Sequence, residues 1–98
     1  MNLPLEFNAA VRTETAQAHD WYAKKLNGLG REFLYEAEQV LEKITQNPTL
    51  YGFAEADIRE ALFTRFPFAV YYRVLANRIR VLAVYHTSRD PEGWRSRA

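Results

Sequence analysis

The chain has 98 residues, 48% hydrophobic and 14% aromatic, with a formal net charge of +1 and no cysteine. That length suits one folded unit over residues 1–98, and the composition excludes a disordered chain. The missing cysteines exclude a disulfide framework and thiol chemistry, and no apolar run approaches the ~18 residues of a membrane span.

The start, Met1-Asn2-Leu3-Pro4-Leu5-Glu6, lacks the basic and apolar regions of a secretory leader, so a cytoplasmic protein is expected. Leu3 to Phe7 reads as a short edge strand, where Pro4 can forgo a ladder donor. Asn8 is a good N-cap for a helix over Ala9–Leu26, with Ala10, Val11, Ala18, Trp21, Tyr22 and Leu26 on one side. Asn27-Gly28-Leu29-Gly30 breaks it, and Gly28 suits a left-handed cap. A second helix, Arg31 to about Gln46, carries Phe33, Ala37, Val40, Leu41 and Ile44 as one stripe with Leu34 beside it. Asn47-Pro48 stops it, because proline disfavours a helical residue before it. Two such helices form an antiparallel hairpin.

Thr49 to Asp57 reads as a connector. Ile58–Arg65 alternates as a strand, with Ile58, Glu60, Leu62 and Thr64 on one side. Phe66–His86 is the most apolar stretch, two strands rich in Val, Ile and Tyr joined by a tight turn at Ala76-Asn77. The polar segment Thr87–Arg95 has room for one helical turn. The order β-α-α-β-β-β, with strands grouped after helices, predicts an α+β fold: a helical hairpin packed on a small antiparallel sheet.

A two-residue turn at Ala76-Asn77 sets Val74 opposite Ile79, Arg73 opposite Arg80, Tyr72 opposite Val81, Tyr71 opposite Leu82 and Val70 opposite Ala83. One face then carries Phe68, Val70, Tyr72, Val74, Ile79, Val81, Ala83 and Tyr85 and packs on the helices. The other carries Tyr71, Arg73, Arg78, Arg80, Leu82, Val84 and His86. Facing arginines are unfavourable unless something anionic sits between them. Either Glu60 or surface carboxylates neutralise them and the tail covers the apolar residues, with Trp94 as the lid, or this face binds an acidic peptide or a phosphate backbone.

Charge sharpens the second alternative. Residues 1–57 carry five Lys or Arg against nine Asp or Glu, whereas residues 58–98 carry eight Arg, no Lys and three Asp or Glu. Guanidinium is a rigid fork that fits carboxylates and phosphates, although a plain preference for arginine would give the same count. There is no Gly-rich phosphate loop, paired-histidine metal spacing or nucleophile elbow, so neither cofactor nor metal is expected. His19 reads as a boundary residue of the first helix. His86 is either a strand-end residue bonding the loop or an acid/base group beside arginines that stabilise a phosphodiester transition state. No second acid/base partner is evident, which favours a protein without catalysis. At a net charge of +1, any nucleic-acid contact is local.

Several segments, in their order and spacing, carry a family resemblance. They are Asp20-Trp21-Tyr22, Gly28-Leu29-Gly30 with Phe33, Asn47-Pro48, Arg65-Phe66-Pro67-Phe68 running into Val70-Tyr71-Tyr72-Arg73-Val74, Val81-Leu82-Ala83-Val84-Tyr85-His86, and Ser88-Arg89-Asp90-Pro91 with Trp94. Over nearly its whole length the chain resembles the RelE/ParE superfamily of type II toxin–antitoxin toxins, often described as plasmid stabilisation proteins. The resemblance implies a toxin that inhibits growth and is neutralised by a cognate antitoxin with an acidic, partly disordered C-terminal segment. ParE-like members inhibit DNA gyrase, and RelE-like members cut messenger RNA on the ribosome. No lysine follows Lys43 and the charge is low for docking on ribosomal RNA, which places the chain nearer the ParE-like branch. Candidate partner-binding residues are Tyr71, Arg73, Arg78, Arg80, Trp94, Trp21 and Tyr22. If the chain is instead an mRNA interferase, the resemblance assigns cutting to His86, Arg80, Arg73, Arg89 and Tyr85, with Arg59 and Arg65 as further candidates. A non-toxic antitoxin-binding module is the third alternative. Neither a membrane nor a small-molecule cofactor is implied.

Overall fold

The computed structural model describes residues 2–98. Its elements are β1 (Leu5–Phe7), α1 (Ala10–Lys25), α2 (Leu29–Gln46), β2 (Phe53–Glu55), β3 (Ile58–Leu62), β4 (Phe68–Val74), β5 (Ile79–His86) and a short α3 (Glu92–Arg95). They form the expected α+β fold, with one added strand and one correction to the sheet. β2 lies in the expected connector. Its three residues are all exposed, so no apolar alternation announces it. α3 is the single turn foreseen after His86. The sheet runs β1-β5-β4-β3-β2 and is mixed rather than antiparallel, because β1 lies parallel to β5. A strand that returns through a helical crossover can pair in parallel, which a short hairpin loop forbids.

Asn8 starts α1 as predicted, its Oδ1 accepting the Ala10 N–H at 2.9 Å. Gly28 takes the left-handed conformation (φ 86°) between the helices. Gly30 belongs to α2 rather than to the break. A Cβ there would lie 2.7 Å from the His19 carbonyl oxygen, so its bareness lets the two helices close up. Phe33, Ala37, Val40 and Ile44 are buried on the stripe that periodicity predicted. Phe33 sits among Tyr22, Phe63, Phe66 and Phe68 at ring-centroid distances of 5.6, 5.4, 5.3 and 4.9 Å. Such aromatic packing adds to the area term of a core.

The β4–β5 turn is where expected, with the Leu75 N–H donating to the Arg78 carbonyl at 2.9 Å. Val74, Arg73 and Tyr72 face Ile79, Arg80 and Val81 as predicted. The register then changes: Tyr71 pairs with Ala83, Val70 with Val84, Ala69 with Tyr85 and Phe68 with His86. Leu82 is the extra residue of a β-bulge. Beyond it the strand's faces exchange. Val84 joins the helix-side core, while Ala83 and Tyr85 join a second cluster with Ile58, Ala69, Tyr71, Leu82 and Trp94. The bulge keeps Val70, Tyr72 and Val84 in one core and gives Tyr85 a second apolar surface to fill.

Candidate functional site

The second face of the sheet carries the predicted arginines, and each already has a carboxylate. Arg73 donates to Asp57 through Nε at 3.2 Å and Nη2 at 3.0 Å. Arg78 and Arg80 share one oxygen of Glu6, at 3.1 and 3.0 Å. These hydrogen bonds, Arg78 first for Glu6 and Arg73 for Asp57, hold both carboxyls below their usual range. Glu60 is occupied elsewhere, accepting the Tyr71 hydroxyl at 2.6 Å. Burial and then Glu60 push that phenol upward. Trp94 closes this face, stacked on Tyr71 at 4.3 Å and 10°. Behind it Tyr85 is buried, and its hydroxyl donates to the Asp90 carbonyl. A Cβ on Gly93 would stand 2.0 Å from that hydroxyl, so only glycine lets the tail lie so close.

His86 is not on this face. The bulge turns it to the helix side, where its ring lies 5.2 Å from Phe68. Its Nδ1 accepts the Ser88 N–H at 3.1 Å and lies 2.8 Å from the Ser88 hydroxyl oxygen. The neutral ring therefore carries its proton on Nε2. His86 lines two adjoining clefts along α1. One, of about 400 Å³, is walled by Trp21, Tyr22, Pro67 and Phe68. The other, of about 170 Å³, adds Gln17 and Arg89. Arg89 lies 4.7 Å above the Tyr85 ring. Among the predicted arginines, it alone has neither carboxylate nor carbonyl partner among the described residues. Arg59 bonds the Thr49 and Tyr51 carbonyls, and Arg65 pairs with Glu32. The structure thus gathers His86, Arg89, Trp21 and Tyr22 along two adjoining clefts, with Tyr85 beneath Arg89, and leaves Arg73 and Arg80 on the other face.

A third feature was not foreseen. An open groove of about 820 Å³ runs between α1 and α2, floored by Val11 and Val84 and walled by Phe7, Leu34, Ala37 and Leu41. Arg12, Asp20 and Glu38 stand among its lining residues. Its sequence signal is a mismatch: α2 spreads its apolar surface to Leu34 and Leu41, while α1 opposes them with Thr15 and Ala16. Among the described residues no helix is long and apolar enough to cross a membrane, and no three His, Asp or Glu side chains gather as metal ligands.

No protein-family model matches the chain, and no curated protein matches it. Among solved structures it is similar to a chain described as "Chromosomal ParDE TA system from P. aeruginosa". The TM-score is 0.66 at 17% identity, over 88% of this chain and 97% of that one. The shared property at that identity is the fold.

Proposed function

We propose that this chain is the toxin of a type II toxin–antitoxin module, acting in the cytoplasm without cofactor by binding DNA gyrase. A cognate antitoxin with an acidic, partly disordered C-terminal segment neutralises it. The observation that carries this role is the open α1–α2 groove on a fold shared with a ParDE chain. The exposed lining of this groove is mostly apolar, which suits the apolar side chains of a partner segment. An amphipathic helix fits such a groove, and a segment that folds on binding can continue across Trp21 and Tyr22. Its acidic residues meet Arg12 at the rim and exchange with Glu6 and Asp57 on the arginine face. Separation of His86 from Arg73 and Arg80 supports action by binding rather than by catalysis.

Expressing the chain alone is expected to arrest growth, and purified chain at micromolar concentration is expected to inhibit gyrase supercoiling. Unaffected supercoiling removes gyrase as the target. Sustained growth with soluble chain leaves antitoxin binding as its activity.

The His86 cleft favours one second role, a ribosome-dependent mRNA interferase. There the ribose 2′-oxygen attacks phosphorus as the bond to the 5′-oxygen breaks, His86 serves as the acid/base group that moves the proton between these oxygens, Arg89 stabilises the phosphate charge, and Trp21 offers a stacking surface. In that case His86→Ala and Arg89→Ala restore growth while thermal unfolding stays normal. Full toxicity in both variants rules it out.

A further inference from the structure

Glu14 is the one buried charged residue among those described, and neither role above uses it. It stands on α1 beside the β5 bulge. β1 covers the edge of β5 only as far as Val81, where Phe7 pairs and the Asn8 N–H donates to the Val81 carbonyl. Beyond that point the edge has no strand. Two side chains take its place. Glu14 Oε1 accepts the Val84 N–H at 3.2 Å, and Arg97 Nη1 donates to the Leu82 carbonyl at 3.1 Å. The two side chains also form an ion pair, Nη2 to Oε2 at 2.7 Å, in which Oε2 accepts no hydrogen bond of good geometry. An acid from the start of the chain and a base from its end thus satisfy an edge that a strand would otherwise seek.

The tail that carries Arg97 is held by side chains rather than by main-chain bonds to the rest of the fold. Every backbone N–H from Gly93 to Ala98 that bonds the main chain does so within residues 90–98. α3 has four residues, too few to be stable alone. Side chains anchor it: Trp94 on Tyr71, Arg95 on Glu55 and Arg97 on Glu14. The Arg95 pair is exposed and therefore weak, whereas the Arg97 pair is enclosed.

We propose that Arg97 is a latch: its contact with Glu14 and Leu82 keeps the tail closed over the second face of the sheet, and its release lets the tail open as a unit, baring Tyr71 and Tyr85 while the sheet stays folded. This device is independent of the toxin role. Local opening of an element with few main-chain ties is a normal low-energy excursion, and the latch sets how often it occurs.

Chymotrypsin cleavage after Trp94 reads the open tail, and amide exchange at Tyr72 and Val81 reads the core. Arg97→Ala is expected to raise the cleavage rate about tenfold or more and to increase binding of an apolar dye, with core amides still protected. The pair Glu14→Gln with Arg97→Gln, which leaves no buried charge unpaired, is expected to do the same. Arg95→Ala changes the rate less than about twofold, since it removes only an exposed pair. Unchanged cleavage in the Arg97 variants overturns the latch. So does loss of core protection in step with cleavage in both of them, which would make Arg97 a general stabiliser.

Discussion

Arg73 and Arg80 stand directly opposite each other on β4 and β5, and each is held by a carboxylate from another part of the chain: Asp57 for Arg73 and Glu6 for Arg80. The facing cations are therefore compatible with a folded chain that has no bound partner. Removing one carboxylate unbalances the set. Glu6→Gln leaves Arg78 and Arg80 unpaired opposite Arg73, so the urea midpoint falls at low ionic strength. Above roughly 0.5 M salt the screening length falls to about 4 Å, so exposed charges interact far less and the difference from the parent chain shrinks. Equal midpoints at low salt would show that the arginines need no internal counter-charge.

The hydrophobic periods made most of the fold legible: the α2 stripe from Phe33 to Ile44, the turn at Ala76-Asn77 and the register down to Tyr72. What stayed hidden turns on Leu82. Strict alternation from the turn sends Ala83 and Tyr85 to the helices and His86 to the arginine face, and Val-Leu-Ala-Val is apolar enough to satisfy either phase. The backbone at the bulge is met by Glu14 and Arg97, which lie 70 and 15 residues away from the groups they bond. No local pattern encodes a choice made at that distance. The candidate site divided for the same reason. Tyr71, Arg73, Arg78 and Arg80 share a face as read, while His86 left them for Trp21 and Tyr22. β2 and the parallel pairing of β1 were equally silent, because three-residue strands have no period to detect.

Phe33 is fully buried at the centre of the aromatic cluster that joins α1, α2 and β4. Phe33→Ala opens a cavity that four rings cannot collapse to fill. The expected loss is ~3–5 kcal/mol, read from chemical unfolding. Exposed Phe53 is the control, lying under Arg59 at 4.0 Å. Phe53→Ala costs about 1 kcal/mol or less. Equal losses at the two positions would place the core elsewhere.

Gly28 and Gly30 are two residues apart and do different work. A side chain at Gly28 meets nothing within 4 Å, so Gly28→Ala is penalised by its positive φ alone, about 1 kcal/mol. Gly30→Ala meets the His19 carbonyl at 2.7 Å and the Ala23 methyl at 3.1 Å. The helices must part, at ~1–3 kcal/mol. Only Gly30→Ala should also speed amide exchange in α1 around His19–Ala23 and reduce capture of a partner helix in the groove. The same exchange pattern in both variants would contradict the assigned contacts.

Tyr72 makes the stability of the fold sensitive to alkali. The side chain is fully buried beneath the helices, and its hydroxyl donates to the Pro48 carbonyl at 2.7 Å. Burial pushes the phenol up to about 12, against about 10 in an unfolded chain. A folded-state value above the unfolded one means that its contribution is complete below about pH 10 and disappears as the pH rises through the folded value. Burial and Glu60 move Tyr71 in the same direction. The urea midpoint should therefore change little between about pH 7 and 9 and fall steeply above about 10. Tyr72→Phe starts lower by about 1 kcal/mol, because the Pro48 carbonyl loses its donor, and its alkaline limb is shallower. A limb as steep as that of the parent chain would assign the alkaline loss to other groups and leave Tyr72 a packing residue only.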